Sequence, residues 1–137
     1  MRKPFRSGAV GAILLSLALV ASACGDDDSG GGPVDGPTIT VGSTNFGEQL
    51  ILGEIYAQVL EANGYSVQRQ FNLGNREVVN PALKSGEIDL LVEYTGTLLT
   101  FEGGASTTDS DETYDLLVGT LADAGLVALD YAPAQDK

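Results

Sequence analysis

The sequence contains no histidine and no tryptophan, and its single cysteine is Cys24. Without histidine, neither a Ser-His-Asp or Cys-His nucleophilic site nor a His-ligated zinc or iron site can be assembled from this chain. Hydrolase readings fall with them, and no cofactor or metal centre is expected. One cysteine cannot form an intramolecular disulfide. Positive charge is also scarce: seven Lys and Arg stand against 19 Asp and Glu, a formal net charge of −12. Three of the seven, Arg2, Lys3 and Arg6, fall in the first six residues, which leaves four for the rest of the chain. Binding a polyanion needs the opposite balance, so nucleic acid is excluded as a partner. A small cationic ligand is compatible with such a chain, although acidity also serves solubility. There is no glycine-rich loop ending in Lys-Ser or Lys-Thr, so nucleotide hydrolysis is not expected here.

What is present begins with a leader. Arg2, Lys3 and Arg6 precede an apolar run from Ala9 to Ala21, which closes on Ala21-Ser22-Ala23-Cys24. A charged start, a short apolar core and a small-residue end form a secretory signal, and the core is shorter than the roughly 20 residues of a membrane-spanning helix. The stretch resembles the lipobox of bacterial lipoproteins, which implies removal of residues 1–23 and lipidation of Cys24. The segment 24–37 is rich in Gly, Ser and Asp and reads as a flexible tether from the lipid anchor. Its Asp26, Asp27 and Asp28 are consecutive and lack the alternating ligand spacing of a calcium loop. The remaining length suits one domain.

From Thr38 the pattern alternates strand and helix. Thr38 to Gly42 reads as a first strand, followed by a helix capped by Asn45 with Glu48 in a capping box and stopped by Gly64. Phe46, Leu50, Ile51, Ile55, Val59 and Leu60 recur at helical spacing as its inner face. Tyr65 to Phe71 is a second strand, closed by the Asn72-Leu73-Gly74-Asn75 turn. Pro81 allows two versions of the next helix: Asn80 as cap with Pro81 in the first turn, or a start near Asn75 with a kink. Both end at Gly86. Ile88 to Val92 is a continuous apolar strand of the kind buried on both faces, and it opens abruptly into a Thr95-Gly96-Thr97 turn after Tyr94. Asp109 with Glu112 caps a helix from about Ser110 to Ala124, with Leu116, Leu117 and Leu121 inward and Gly125 as its stop. Leu126 to Leu129 makes a fourth strand. Repeated strand-helix-strand order predicts an α/β fold with a parallel sheet.

Three stretches, VGSTNFGEQLILGEIYAQVLEANGY at 41–65, NLGNREVVNPALKSGEIDLLVEYTGT at 72–97 and LDYAPAQDK at 129–137, together resemble the substrate-binding proteins of ABC transporters for glycine betaine, choline and related quaternary amines. The resemblance implies a periplasmic-binding-protein-like fold of type II, whose two α/β lobes close on the ligand. Residues 38–137 then correspond to a first lobe, with the second lobe missing. It also implies an extracytoplasmic lipoprotein that delivers a small cationic osmolyte to an ABC transporter permease, with no enzyme activity of its own.

A quaternary ammonium group has no N–H to donate, so aromatic faces hold it, at about 0.5–2 kcal/mol per contact. By resemblance Tyr94 is one wall of such a cage and Thr97 contacts the ligand's polar end. Packing of Tyr94 over the sheet edge is the other reading of the same residue. The loop from Ser43 to Gln49 supplies Thr44, Asn45 and Gln49, at a helix start whose N–H groups suit a ligand oxygen. Gln49 is read either as a ligand contact or as a solvated first-turn residue. Relatives often carry Lys at the position of Thr44, and its absence here favours choline or another hydroxylated amine over a carboxylate ligand. Glu77 is a further candidate contact, while Arg76, Tyr56, Tyr65, Tyr114 and Tyr131 are read as structural or surface residues. A surface lipoprotein with a structural role or another ligand is the alternative function.

Overall fold

The computed structural model describes residues 32–134. The leader, Cys24 and most of the tether lie outside the described residues. Within them, β1 (Ile39–Gly42), β2 (Val67–Gln70) and β3 (Leu90–Leu91) form a parallel sheet in the order β2-β1-β3. Ile39 to Gly42 pair with Val67 to Gln70 on one side, and Val41 and Gly42 pair with Leu90 and Leu91 on the other. Parallel pairing requires crossovers, which α1 (Gly47–Ala62) and α2 (Arg76–Ser85) provide. The chain continues into α3 (Thr95–Phe101) and α4 (Ser110–Asp123). The α/β class and the parallel sheet are those expected from the sequence. Residues 32–37 are exposed and irregular, with Val34 N–H donating to the Gly64 carbonyl at 2.9 Å.

The face that α1 buries differs from the expected one. Gln49, Gly53 and Ala57 point inward, four residues apart, while Ile51, Ile55 and Val59 are exposed. The reason is space. A Cβ on Gly53 would stand 3.0 Å from Cε1 of Phe71, so small residues let α1 close onto β2. The capping box is also absent. Phe46 is the N-cap and makes no side-chain cap, because the Asn45 N–H donates to the Gly74 carbonyl at 2.9 Å and commits Asn45 to the neighbouring loop.

The second version of α2 is the one adopted. Asn75 is its N-cap and Pro81 lies inside, removing the helical donor to the Glu77 carbonyl. Gly86 ends the helix in the left-handed region, at φ 75°, as a glycine readily does. The third strand is shorter than the apolar run and only half-buried, since β3 pairs with β1 alone. Ile88, fully buried just before it, packs with Val79 and Ala82 of α2.

Two expectations at the C-terminal end are overturned. Thr95-Gly96-Thr97 is not a turn but the first turn of α3, with Tyr94 as N-cap and the Leu98 N–H donating to the Tyr94 carbonyl at 2.9 Å. Leu126 to Leu129 forms no strand. Leu126 and Ala128 pack against a cluster of Leu98, Leu99, Leu117 and Leu121, while Val127 and Leu129 face solvent. The segment is held by the Tyr114 hydroxyl donating to the Leu129 carbonyl at 3.0 Å and by Tyr131 on Asp111. The Asp109 cap forms as expected, accepting from Glu112 N–H at 2.9 Å, but Leu116 is exposed.

Arg69 of β2 ties the sheet to α1 by donating to both carboxylates of Glu54 and Glu61, at 2.6–3.0 Å. Hydrogen bonds from Arg69, then from Gln58, hold the Glu54 carboxyl at about 2, well below its ordinary 4.5. Arg69 likewise lowers Glu61. Because the folded-state values lie below the unfolded ones, the clamp contributes fully above pH about 4.5 and is lost as pH falls toward 2. All three groups are exposed, so the contribution is screened and small. Arg69→Met is expected to lower the melting temperature slightly at pH 7, with the difference from the parent vanishing between pH 4.5 and 2. Melting curves across that range check it.

Candidate functional site

The loops that follow β1 and β2 leave the sheet side by side and are laced together. Leu73 N–H donates to the Ser43 carbonyl at 3.1 Å, Asn72 N–H to the Ser43 hydroxyl at 3.0 Å, and Asn45 N–H to the Gly74 carbonyl at 2.9 Å. This places the start of α1 beside the start of α2, at the carboxyl ends of the parallel strands, where open α/β sheets bind ligands. A pocket of about 280 Å³ opens there, lined by Thr44, Asn45, Phe46 and Gln49 from the first loop and helix, Asn75, Arg76 and Glu77 from the second, and Glu93 and Tyr94 at the end of β3.

Five of the six residues singled out from the sequence, Tyr94, Thr44, Asn45, Gln49 and Glu77, therefore stand around one cavity. Thr97 does not line it. Its hydroxyl donates to the Tyr94 carbonyl at 3.3 Å and accepts from Arg76 Nη2 at 3.0 Å. Gln49 is not a solvated first-turn residue: it is 1% exposed. Its Oε1, and the Oγ1 of Thr44, which is 5% exposed, are buried without a hydrogen-bond partner in the ligand-free chain. Such atoms are rare in folded proteins, and in a pocket they are where a ligand or water completes the bonding.

Four lining residues, Phe46, Asn75, Arg76 and Glu93, were not among the six singled out from the sequence. Phe46 was assigned to the inner face of a helix, yet it is the exposed N-cap, and its ring stacks on Tyr94 with centroids 6.4 Å apart and planes 17° apart. The two near-parallel rings stand together at the edge of the pocket as one aromatic wall. Glu93 and Arg76 form a bidentate pair, Nε to Oε1 at 2.9 Å and Nη2 to Oε2 at 2.6 Å. Hydrogen bonding to Glu93 raises Arg76 above the ordinary guanidinium range. The pair occupies the one cationic side chain of the lining and leaves Glu77 as its unmatched charge. Charge complementarity that spans 17 residues leaves no local signal in a single sequence. Among the described residues no cluster of His, Cys, Asp or Glu could hold a metal, and no helix is long and apolar enough to cross a membrane.

Residues 37–137 match the substrate-binding domain of ABC-type glycine betaine transport systems. The chain belongs to that family. It is 43% identical over 58 residues to the glycine betaine-binding protein YehZ of Escherichia coli, an alignment covering 42% of this chain and 19% of YehZ. To a glycine-betaine-binding protein of Pseudomonas aeruginosa it is 40% identical over 62 residues, 45% of this chain and 20% of that one. The ergothioneine transport permease/ergothioneine binding protein EgtU of Helicobacter pylori is 40% identical over 60 residues, covering 43% and 11%. The solved structure of apo YehZ superposes with a TM-score of 0.58 at 30% identity, over 64% of this chain and 32% of that one. The chain thus aligns with a tenth to a fifth of the length of these curated relatives.

Gln49 occupies a helix stripe otherwise filled by Gly53 and Ala57, where an apolar side chain would leave no polar atom unpaired. Gln49→Leu is expected to raise the stability of the ligand-free protein by about 1–2 kcal/mol. Chemical denaturation of the two proteins without ligand measures the difference.

Proposed function

We propose that this chain is the ligand-binding part of an extracytoplasmic lipoprotein that captures a quaternary ammonium osmoprotectant and passes it to the permease of an ABC transporter. The stacked Phe46 and Tyr94 rings bordering the pocket carry this reading, since an aromatic wall beside Glu77 suits a cation with no N–H to donate. Membership of a glycine betaine transport family supports it. In this reading residues 1–23 are a signal peptide, 24–37 a tether lipidated at Cys24, and 38–137 one lobe of a larger two-lobed protein. Tyr94, Thr44, Asn45, Gln49 and Glu77 touch the ligand directly. Thr97 reaches its polar end after a change of partner, or supports it through Arg76.

The ligand's polar end meets neutral groups. Arg76 is occupied by Glu93, and Thr44 and Gln49 supply hydroxyl and amide, so a hydroxylated amine such as choline fits this side of the pocket better than a carboxylate-bearing betaine. The likeness to an ergothioneine-binding relative makes ergothioneine, which joins a trimethylammonium group to a carboxylate, a ligand to compare with choline and glycine betaine.

Titration calorimetry of the full-length protein with choline, glycine betaine and ergothioneine is expected to give saturable binding for at least one, weakened by about 1–2 kcal/mol in Tyr94→Leu. Binding of none would overturn the proposal. Residues 24–137 alone are expected to bind about 30-fold to more than 100-fold more weakly, because a second lobe supplies the remaining aromatic contacts. Undiminished affinity in that chain would mean that one lobe holds the whole site.

Lipid attachment is tested separately by mass spectrometry of protein from its native membrane. The expected N-terminal residue is acylated Cys24, and an intact, unmodified Met1 would exclude the anchor.

A further inference from the structure

One face of α2 carries Arg76, Asn80 and Lys84, spaced four residues apart, and all three reach across to the segment that begins at Glu93. Arg76 binds Glu93 at 2.9 and 2.6 Å and Thr97 at 3.0 Å. Asn80 Nδ2 donates to Glu102 at 2.8 Å, and Lys84 Nζ donates to the same carboxylate at 2.7 and 2.9 Å. These bonds form a polar seam between two separate apolar clusters. Val79, Ala82 and Ile88 make one, under α2, and Leu98, Leu99, Leu117 and Leu121 make the other, between α3 and α4.

The pocket lies at one end of this seam. Phe46 belongs to the sheet side of it and Tyr94 to the α3 side, so the spacing of the two rings depends on how the sides are joined. Arg76 joins them where it matters. It grips Glu93 and Thr97, which flank Tyr94 in the chain, and Glu93 Oε2 also accepts the Tyr94 N–H at 3.2 Å. The Arg76 guanidinium is seated 5.8 Å over the Phe101 ring as well, which fixes its plane against α3. Helix electrostatics do not explain a cation here: Arg76 is the first residue of α2, where the helix dipole disfavours positive charge. The Glu93 carboxylate, just past β3, offsets that cost.

Resting on the amine-binding reading above, we infer that Arg76 is a positioning residue for the aromatic wall, holding Tyr94 in register with Phe46 through its bidentate grip on Glu93. Lys84 is the internal comparison. It belongs to the same seam, two turns further along α2, but its hydrogen bonds go to Glu102, at the opposite end of α3 from Tyr94. A general structural role would make the two residues equivalent, whereas a positioning role separates them.

The test is proton NMR on the ligand-free protein, following cross-relaxation between the Phe46 and Tyr94 rings. The contact is expected in the parent and in Lys84→Met, weakened in Arg76→Lys, which keeps the charge but not the planar fork, and lost in Arg76→Gln. The charge-reversed pair Arg76→Glu with Glu93→Arg is expected to restore it in part, and serves in place of Arg76→Gln if that variant does not fold. Full ring contact in Arg76→Gln, or equal loss in Lys84→Met, would overturn the inference. In the full-length protein, Arg76→Gln is expected to weaken choline binding about 10-fold, with Lys84→Met unchanged. Lost ring contact with unchanged affinity would leave Arg76 as the positioning residue and remove the amine from the aromatic wall, so the two readings fail separately.

Discussion

The Ser43 hydroxyl is the point on which the pocket depends. Ser43 is fully buried, and its Oγ accepts from the Asn72 N–H while donating to the Thr44 carbonyl, both at 3.0 Å. Its own carbonyl takes the Leu73 N–H. One small side chain thereby satisfies backbone groups of two loops that leave the sheet in parallel, and buried backbone groups must be satisfied somewhere. The Asn72 backbone enters the left-handed region, at φ 61°, to make the turn, which Asn tolerates better than most residues. Two of the cavity's three sides follow from this junction, because Thr44, Asn45 and Phe46 lie on one side of it and Asn75, Arg76 and Glu77 on the other.

The pocket also shows a division between stability and function. Gln49 and Thr44 keep polar atoms buried and unpaired in the ligand-free chain, which costs folding free energy, while ion pairs elsewhere are fully engaged. Phe46 is half exposed at a helix N-cap, a position usually taken by Ser, Thr, Asp or Asn. Each departs from the local rule, and all three face the same cavity. Clustered departures of this kind are the expected mark of a binding site in a protein that is otherwise locally consistent.

Much of the frame was legible in the sequence because it rests on local signals. Gly64, Gly86 and Gly125 stop helices at positive φ, and Asp109 caps α4 through Glu112, all within a few residues of the elements they bound. The parallel pairing of the strands followed from the alternation of elements. What was not legible depends on distant partners. The inner face of α1 is set by the Phe71 ring, so the strongest apolar periodicity, Ile51, Ile55 and Val59, marks the wrong side. Leu126 to Leu129 is a short apolar run like a strand but meets a helical cluster, and Thr95-Gly96-Thr97 reads as a turn until Leu98 and Leu99 anchor it as a helix. At the site, the ordered motifs located five lining residues, whereas the Phe46 stack and the Arg76–Glu93 pair exist only once the chain has folded.

The two apolar clusters give the molecule an uneven resistance to opening. Neither shares a buried side chain with the other, and what spans them is a row of charged hydrogen bonds that water can replace one at a time. Cooperative units of a native protein separate along such boundaries, because apolar packing is lost all at once and solvated polar contacts are not. The helical hairpin of α3 and α4 is therefore expected to open ahead of the sheet, with its backbone amides exchanging sooner than those of β1 at the centre. Since Tyr94 caps α3 and stacks on Phe46 of the sheet side, the ring that faces the pocket stands on the border along which the two units part.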